Sequence, residues 1–326
     1  MGNYFNFFNK EKKEATTNKN EKIIIKTKRI TLNRLFEDIY NKIENITYIK
    51  SLNILFLFVD KIKIACFNYP TLERNEKLEE ILNINGIRNY FYLGMANKLI
   101  IYYDKNETYI YNVRNNILKL DTKINLNFFP QKLIEVNSNT FIILENGICS
   151  TYKYINNNFQ KINSLKVESN ILDFDINPSK NKLIIVQDET NFTILLYDII
   201  KFKILSKYEN TRSSDVYFLN EEILISFGHK NLNLYNINNS EPDLNWRFTY
   251  FLFTKINDNI FAISDFYDTT VYKIKKYGQR NDIESIFSVS DRIYCFLSFD
   301  NCLICARDDF IRIDEFFNLD KWILDF

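Results

Sequence analysis

The sequence predicts an all-β chain, a seven-bladed β-propeller with a short strand-and-helix extension at its N-terminus. One observation is self-similarity. "ILISFGHKNLNLYNI" (Ile223–Ile237) sets two short apolar runs either side of a polar turn and closes on "LYNI". Near copies of that ending are "LLYDI" (Leu195–Ile199), "YIYNV" (Tyr109–Val113) and "TVYKI" (Thr270–Ile274). A second observation is the period, which is close to that of one blade. A third is residue choice: β-branched and aromatic residues fill the runs, and Asn, Asp, Lys, Glu or Gly fill the turns.

From the N-terminus, residues 1–21 are polar and charged after an aromatic start, and read as a disordered arm. Residues 22–44 read as an extension. "KIIIKTKRI" (22–30) is expected to be a strand that pairs with a terminal blade. "TLNRLFEDIYNKI" (31–43) carries Leu32, Leu35, Phe36, Ile39, Tyr40 and Ile43 at helical spacing, with Thr31 as N-cap. The propeller is placed at 45–326.

Seven copies of the hairpin align within it: 54–69, 98–113, 140–155, 182–199, 223–237, 259–274 and 292–306. Their anchors are Phe67, Tyr111, Tyr152, Tyr197, Tyr235, Tyr272 and Ile304, spaced on average about 40 residues apart. A further apolar run precedes most copies, as in "NITYIK" (45–50), and a more polar run follows several, as in "FQKINSL" (159–165). Inner apolar strands and a polar outer strand describe one blade. Neighbouring blades bury one another's apolar faces, so the unit needs its repeats. A β-sandwich explains short strands but not the sustained period. A helical solenoid needs a 3.6-residue spacing that these runs lack. The C-terminal "FFNLDKWILDF" is apolar, and its Trp322 reads as an anchor in the fold.

Composition agrees with a well-packed soluble domain. Apolar residues make up 46% and charged residues 25%, and the formal net charge is +1. That balance gives no field favouring nucleic acid. No run is long enough for a spanning helix, and the start lacks the apolar core of a secretory signal. An intracellular protein, cytoplasmic or nuclear and not secreted, is the expectation. Asparagine is abundant beside only 6 Gly and 4 Pro. Asn tolerates the left-handed turn conformation and can stand in for glycine in hairpins.

"SNILDFDINPSKNKLIIVQDETNFTILLYDIIKFKIL" (Ser169–Leu205) resembles one unit of the WD-repeat family. There an apolar strand ends in a Ser-Pro-Asp-Gly-like turn, here "NPSKN", and a later strand ends in Trp-Asp, here Tyr197-Asp198. The resemblance spans about Ile46 to Phe316, with this one repeat matching well. No copy has Trp-Asp, and Gly228-His229 falls at the end of a strand where the family's Gly-His does not. The family's His–Asp–Ser–Trp network is therefore not expected, and Tyr and Phe packing must hold the blades. The resemblance implies a protein–protein interaction scaffold.

No catalytic residue, cofactor or metal site is predicted. His229 is the single histidine, so Ser–His–Asp and Cys–His chemistry has one candidate and multi-imidazole zinc sites none. Its position at a strand end favours a structural role. Cys66, Cys149, Cys295, Cys302 and Cys305 are scattered in sequence and read as reduced, buried thiols. "CLIC" has the spacing of a metal half-site, yet in a strand residues three apart face opposite ways. "DFYDTT" and "QDETN" lack the spacing of a calcium loop. Neither glycine-rich nucleotide motif occurs. Paired carboxylates for glycoside chemistry would have to converge from distant blades.

The primary functional expectation is a non-catalytic scaffold, a propeller subunit of a larger assembly whose partners are other proteins. The alternative is a membrane- or phosphoinositide-associated propeller. Its basic-aromatic arm would use Phe5, Phe7, Phe8, Lys10, Lys12 and Lys13 for weak contact with an anionic surface or a partner. Asn6 stands where a myristoylation signal prefers Ser or Thr. The phosphoinositide-binding propellers of autophagy carry Phe-Arg-Arg-Gly. Here "LNWRFTYF" offers Arg247 alone and "YGQRND" (277–282) one arginine, too few for two phosphate pockets. A propeller hydrolase or lyase, which needs several acids with a metal or a His across the central channel, ranks last; carboxylates clustered around the axis would revive it.

Overall fold

The computed structural model describes residues 7–8, 12–15, 23–31 and 43–317, except for 60–62, 83–85, 104–106, 115–116, 127, 166, 168, 189–191, 202, 210, 229, 240, 248–251, 266–267, 278–279, 291–292, 294, 300–301 and 308–309. The fold class is the predicted one, a seven-bladed β-propeller of antiparallel sheets. The first strands in the chain are β1 (Phe7–Phe8), β2 (Lys12–Ala15) and β3 (Ile23–Thr31). Blade 1 is β4 (Ile43–Ile49), β5 (Ile54–Val59) and β6 (Lys63–Asn68), followed by helix α1 (Glu76–Leu82). Blade 2 is β7 (Ile87–Leu93), β8 (Lys98–Tyr103), β9 (Glu107–Arg114) and β10 (Ile117–Asn125). Blade 3 is β11 (Lys132–Asn137), β12 (Thr140–Glu145), β13 (Ile148–Ile155) and β14 (Asn158–Ser164). Blade 4 is β15 (Ile171–Ile176), β16 (Lys182–Gln187), β17 (Thr193–Asp198) and β18 (Lys203–Tyr208). Blade 5 is β19 (Ser213–Phe218), β20 (Ile223–Gly228), β21 (Asn231–Asn236) and β22 (Leu244–Arg247). Blade 6 is β23 (Leu252–Lys255), β24 (Ile260–Ser264), β25 (Thr269–Tyr277) and β26 (Arg280–Val289). Blade 7 is β27 (Cys295–Phe299), β28 (Cys302–Arg307) and β29 (Phe310–Phe317), completed by β3.

Two compact units share these blades. One comprises Gly86–Thr249 and Lys276–Asp282 and holds blades 2 to 5. In it the second strand of a blade is covered on both faces, and all six residues of β20 are buried. That is why these strands read as unbroken apolar runs instead of alternating ones. The outer strand β18 is mostly exposed and correspondingly polar. Consecutive blades bury each other: Ile142, Leu144 and Cys149 of blade 3 pack with Phe174, Leu183, Ile185 and Tyr197 of blade 4.

A register feature recurs here. Leu120 pairs with Tyr111 but Thr122 with Ile110, so Asp121 is an extra residue in β10. The same one-residue bulge leaves Ile162 extra opposite Tyr152 and Leu205 extra opposite Tyr197. A bulge bends an edge strand and turns its side chains outward.

The other unit comprises Met1–Asn85, Tyr250–Lys275 and Ile283–Phe326. Strand β3 pairs antiparallel with β29 from Thr31↔Phe310 to Ile24↔Phe317, as the sequence reading expected of "KIIIKTKRI". On the other edge of β3, Phe7 pairs with Ile30 and Phe8 with Arg29, while Lys12 to Ala15 pair with Lys26 to Ile23. These two pieces of the N-terminal arm are thus in strands where none was expected. Phe5, Lys10, the helix expected from 31 to 43 and Trp322 fall among, or almost wholly among, residues outside those described.

Among the described residues, blade 1 has three strands. Its third edge is met by the turn after β6 and by α1: Asn75 N–H donates to Cys66 O (2.8 Å) and Asn68 N–H to Glu73 O (2.8 Å). Asn75 caps the helix through its Oδ1, which accepts from Leu78 N–H at 3.0 Å. Asparagines do take glycine's place in turns. Asn53, Asn97, Asn146, Asn156 and Asn157 all hold φ between 48° and 60°. Asn146-Gly147, both at positive φ, closes the β12–β13 hairpin.

Candidate functional site: side-chain clasps along the inner strands

The first strand of each blade pairs on one side only, so its other edge carries open N–H and C=O groups. In blades 1, 2, 4 and 5 that strand begins with the same bulge, leaving Glu44, Arg88, Leu172 and Ser214 as extra residues. The next residue is an Asx each time: Asn45, Asn89, Asp173 and Asp215. In blade 4, Asp173 and Asp175 lie two apart on β15 and so share a face. Asp173 Oδ2 accepts from Val216 N–H at 3.0 Å, and Asp175 Oδ2 from Phe218 N–H at 2.8 Å. Two carboxylates thereby serve alternate open amides of β19, a two-rung ladder made by side chains. Lys132 Nζ, from β11, donates to Asp173 Oδ1 at 2.8 Å and lies 5.5 Å from the Phe174 ring and 5.3 Å from the Tyr217 ring. Ser214 Oγ donates to Asp215 Oδ2 at 2.6 Å.

Burial sets the electrostatics of this cluster. It pushes the Asp175 carboxyl up to about 6, against the opposing pull of Lys132 and of the Phe218 and Ile176 amides. It also raises Asp173, although Lys132 and the Val216 amide favour the carboxylate. The Tyr217 phenol is raised by burial and then by Asp173, Asp215 and Asp175 around it.

Similar clasps recur. Glu135 of blade 3 accepts from Met95 N–H (2.8 Å) and Ala96 N–H (2.6 Å) of blade 2. Glu221 of blade 5 accepts from Ser179 N–H and Oγ, each at 2.6 Å, and from Asn177 Nδ2 of blade 4. Burial pushes the Glu221 carboxyl up, but those donors outweigh it and hold it below its ordinary value. In the other unit, Ser298 Oγ of blade 7 donates to Lys255 O of blade 6 and lies 3.2 Å from Thr254 Oγ1. The Asp173, Asp175, Glu135 and Glu221 oxygens accept main-chain N–H groups of neighbouring blades, which is joining chemistry. Among the described residues no group of three or more His, Cys, Asp or Glu is placed to hold a metal ion.

The anchors Phe67, Tyr111, Tyr152, Tyr197, Tyr235 and Tyr272 all lie buried on the third strands of blades 1 to 6. Tyr152 Oη donates to Glu145 Oε1 at 2.7 Å. Tyr111 bonds Tyr103, Tyr235 bonds Ser226 and Tyr272 bonds Thr270 through their hydroxyls. Ile304 is displaced from this set, because β28 is the second strand of blade 7. All five cysteines are free and buried. Leu303 and Cys305 pack toward blade 6, while Ile304 and Ala306 pack toward blade 1. Arg247 is exposed on β22. His229 lies outside the described residues, as do Phe5 and Lys10; Phe7, Phe8, Lys12 and Lys13 stand on the strands paired with β3.

No protein-family model matches the sequence, and no curated protein matches it. Solved structures do match the fold. Raptor of Chaetomium thermophilum superposes with a TM-score of 0.64 at 12% identity, over 86% of this chain and 29% of that one. Hsv2 of Kluyveromyces lactis superposes with a TM-score of 0.53 at 10% identity, over 77% of this chain and 99% of that one. A form of that Hsv2 with its loop 6CD complete gives 0.54 at the same identity and coverage. At these identities the likeness is one of fold alone.

Proposed function

We propose that this chain is a non-catalytic interaction scaffold, an intracellular propeller subunit, cytoplasmic or nuclear, whose partners are other proteins. The observation that carries the reading is the outer rim of blades 2 to 4. At the recurrent bulges, Leu120, Ile162, Ile204 and Leu205 stand exposed, and Ile117 and Ile200 extend the same strands and turns. Single exposed apolar residues are ordinary, but the same bulge presenting them on three successive blades is a patterned surface. Exposed Lys119 and Lys203 lie beside them, which suits a partner with acidic and apolar residues. The clasps support the same role, because they stiffen blades without leaving those carboxylates free for acid–base work.

The test is capture from the source cell with the full chain, wild type against an Ile162→Asp, Ile204→Asp, Leu205→Asp variant of equal melting temperature. Stoichiometric partners lost only in the variant are expected. Partners retained by the variant, or no partner for the wild type, would count against the rim. The alternative, association with an anionic membrane through residues 1–21, predicts flotation with phosphatidylserine vesicles that disappears when those residues are removed.

A further inference from the structure

Methionine occurs twice in the chain, at Met1 and Met95. Met95 lies in the turn between β7 and β8 of blade 2, with 43% of its surface exposed. Lys180, in the turn between β15 and β16 of blade 4, touches both other blades. Its Nζ donates to Glu135 O of blade 3 at 2.8 Å and to Met95 Sδ at 3.5 Å. Glu135 holds both partners in place. Its carboxylate accepts from the N–H groups of Met95 and Ala96, and its carbonyl accepts from Lys180. The thioether and the ammonium are therefore brought together by one residue from blade 3.

This arrangement serves the ammonium poorly. It has three N–H donors, and its acceptors among the described residues are a neutral carbonyl and a thioether, the latter a weak acceptor. Burial lowers the Lys180 pKa, against the opposing pull of the Glu135 charge. A stronger acceptor at the position of the sulfur would stabilise the charged form. A thioether can become one, because oxidation turns it into a polar sulfoxide. Exposure of Met95 gives an oxidant access to the sulfur and lets the sulfoxide form without entering a core.

We infer that Met95 is a site of oxidation by hydrogen peroxide, and that Lys180 captures the resulting sulfoxide and so tightens the join between blades 2, 3 and 4. A sulfur lone pair attacks one peroxide oxygen, and the S–O bond forms as the O–O bond breaks. The departing hydroxide takes the proton left on the transferred oxygen and leaves as water. Sulfur is oxidised by one electron pair, which the peroxide takes up. The unbranched side chain has rotatable bonds enough to swing the new oxygen onto Nζ. This site is independent of the rim and does not rest on the scaffold reading.

The test treats the full chain with dilute hydrogen peroxide and follows Met95 by peptide mass spectrometry. Conversion to the sulfoxide is expected, with the oxidised chain melting on the order of 2 °C above the reduced one. Met95→Leu, treated alike, should show no rise, which separates Met95 from the five buried cysteines. Lys180 has a φ of 57°, which asparagine tolerates, so Lys180→Asn is expected to fold. Met95 should still oxidise in that variant, without the rise in melting temperature. A second readout needs no variant: acylation of Lys180 by an active ester should slow by roughly threefold or more on oxidation, as the amine gains a hydrogen bond. The proposal is overturned if Met95 resists peroxide, or if the oxidised chain melts no higher than the reduced one. A rise that survives in Lys180→Asn or in Met95→Leu also overturns it, as does an unchanged rate of Lys180 acylation.

Discussion

Asp175 stands on β15 with one carboxylate oxygen turned to the Phe218 amide, and its surroundings favour the protonated form. The folded chain therefore holds this proton more tightly than the unfolded chain, where the group has its ordinary value of 3.8. Between pH 4 and pH 6 the contribution of Asp175 to stability falls as pH rises, and above 6 its penalty is constant. Asp175→Asn keeps an oxygen for the Phe218 amide and cannot titrate. It should flatten that limb of the stability–pH curve and be more stable at pH 7.5 by about 1–2 kcal/mol, a value discounted for partial exposure. Urea midpoints from pH 4 to 8 check this, and an unchanged slope would remove Asp175 as its source. Gly228 makes a steric prediction. A Cβ there would lie 1.8 Å from the Arg212 carbonyl oxygen, and Arg212 itself has a φ of 51°. The opposing atom is main chain, so a side-chain rotation cannot relieve the clash. Gly228→Ala should cost about 3 kcal/mol or more, at or beyond the upper end of overpacking, read as a lowered urea midpoint at unchanged slope.

At the scale of elements, α1 covers an edge. Glu79 on α1 is buried, and its Oε1 accepts from Cys66 N–H at 2.9 Å on β6. Arg74 grips the same carboxylate from Nε at 3.1 Å and Nη2 at 2.7 Å. Glu79→Ala leaves an amide and a guanidinium short of their acceptor, at a cost of about 2–4 kcal/mol. Glu79→Gln keeps an acceptor for the amide and should cost less. An opened edge is also a template for pairing, so Glu79→Ala should elute partly as dimer in size exclusion; a monomer of unchanged stability would refute the edge role. The hairpins were legible because two covered faces demand unbroken apolar runs and tight Asn turns. The helix was harder to see. Seven residues give barely two turns of periodicity, and the signal present was Asn75 three residues before Leu78, with Glu76 and Glu79 in the first turn. The Asx recurring at 45, 89, 173 and 215 marks the bulge and not the clasp. Asp173 reaches the next blade, but Asn45 and Asn89 Oδ1 accept from the N–H of the following residue. The clasps therefore carry no repeated signal, and β propensity, which disfavours Asn and Asp, masks them as turn residues. The seventh copy slipped in register for a chemical reason. Leu303, second in β28, faces Asp314 where other blades place a tyrosine or phenylalanine. That Asp314 is buried with Arg312, whose Nε lies 2.9 Å from it. A charged pair in an anchor position hides the third strand from any search for aromatic endings.

For the molecule as a whole, the consequential connection is the one that puts both ends of the described chain into one sheet. Strand β3 adds to β29 through eight residue pairs, so the last blade takes three strands from the C-terminal part and one from the N-terminal part. Such a sheet cannot be completed until β3 and β29 meet. The closure costs loop entropy that grows slowly with length, and the ladder offsets it. Removing residues 1–22 takes away β1 and β2 but leaves β3, and should lower the melting temperature by only a few degrees. Removing 1–31 strips β29 of its neighbour and exposes an edge that carries Ile311, Ile313 and Phe316, all buried in the intact chain. That truncation should lower the melting temperature by about 10 °C or more and promote association through the open edge. Adding back a synthetic peptide of residues 20–33 should restore part of the loss, because the strand's contribution is made by pairing and not by covalent continuity. Circular dichroism melts of the two truncations, with and without the peptide, decide the matter: equal melting of both forms would show that β3 is dispensable to the blade it completes.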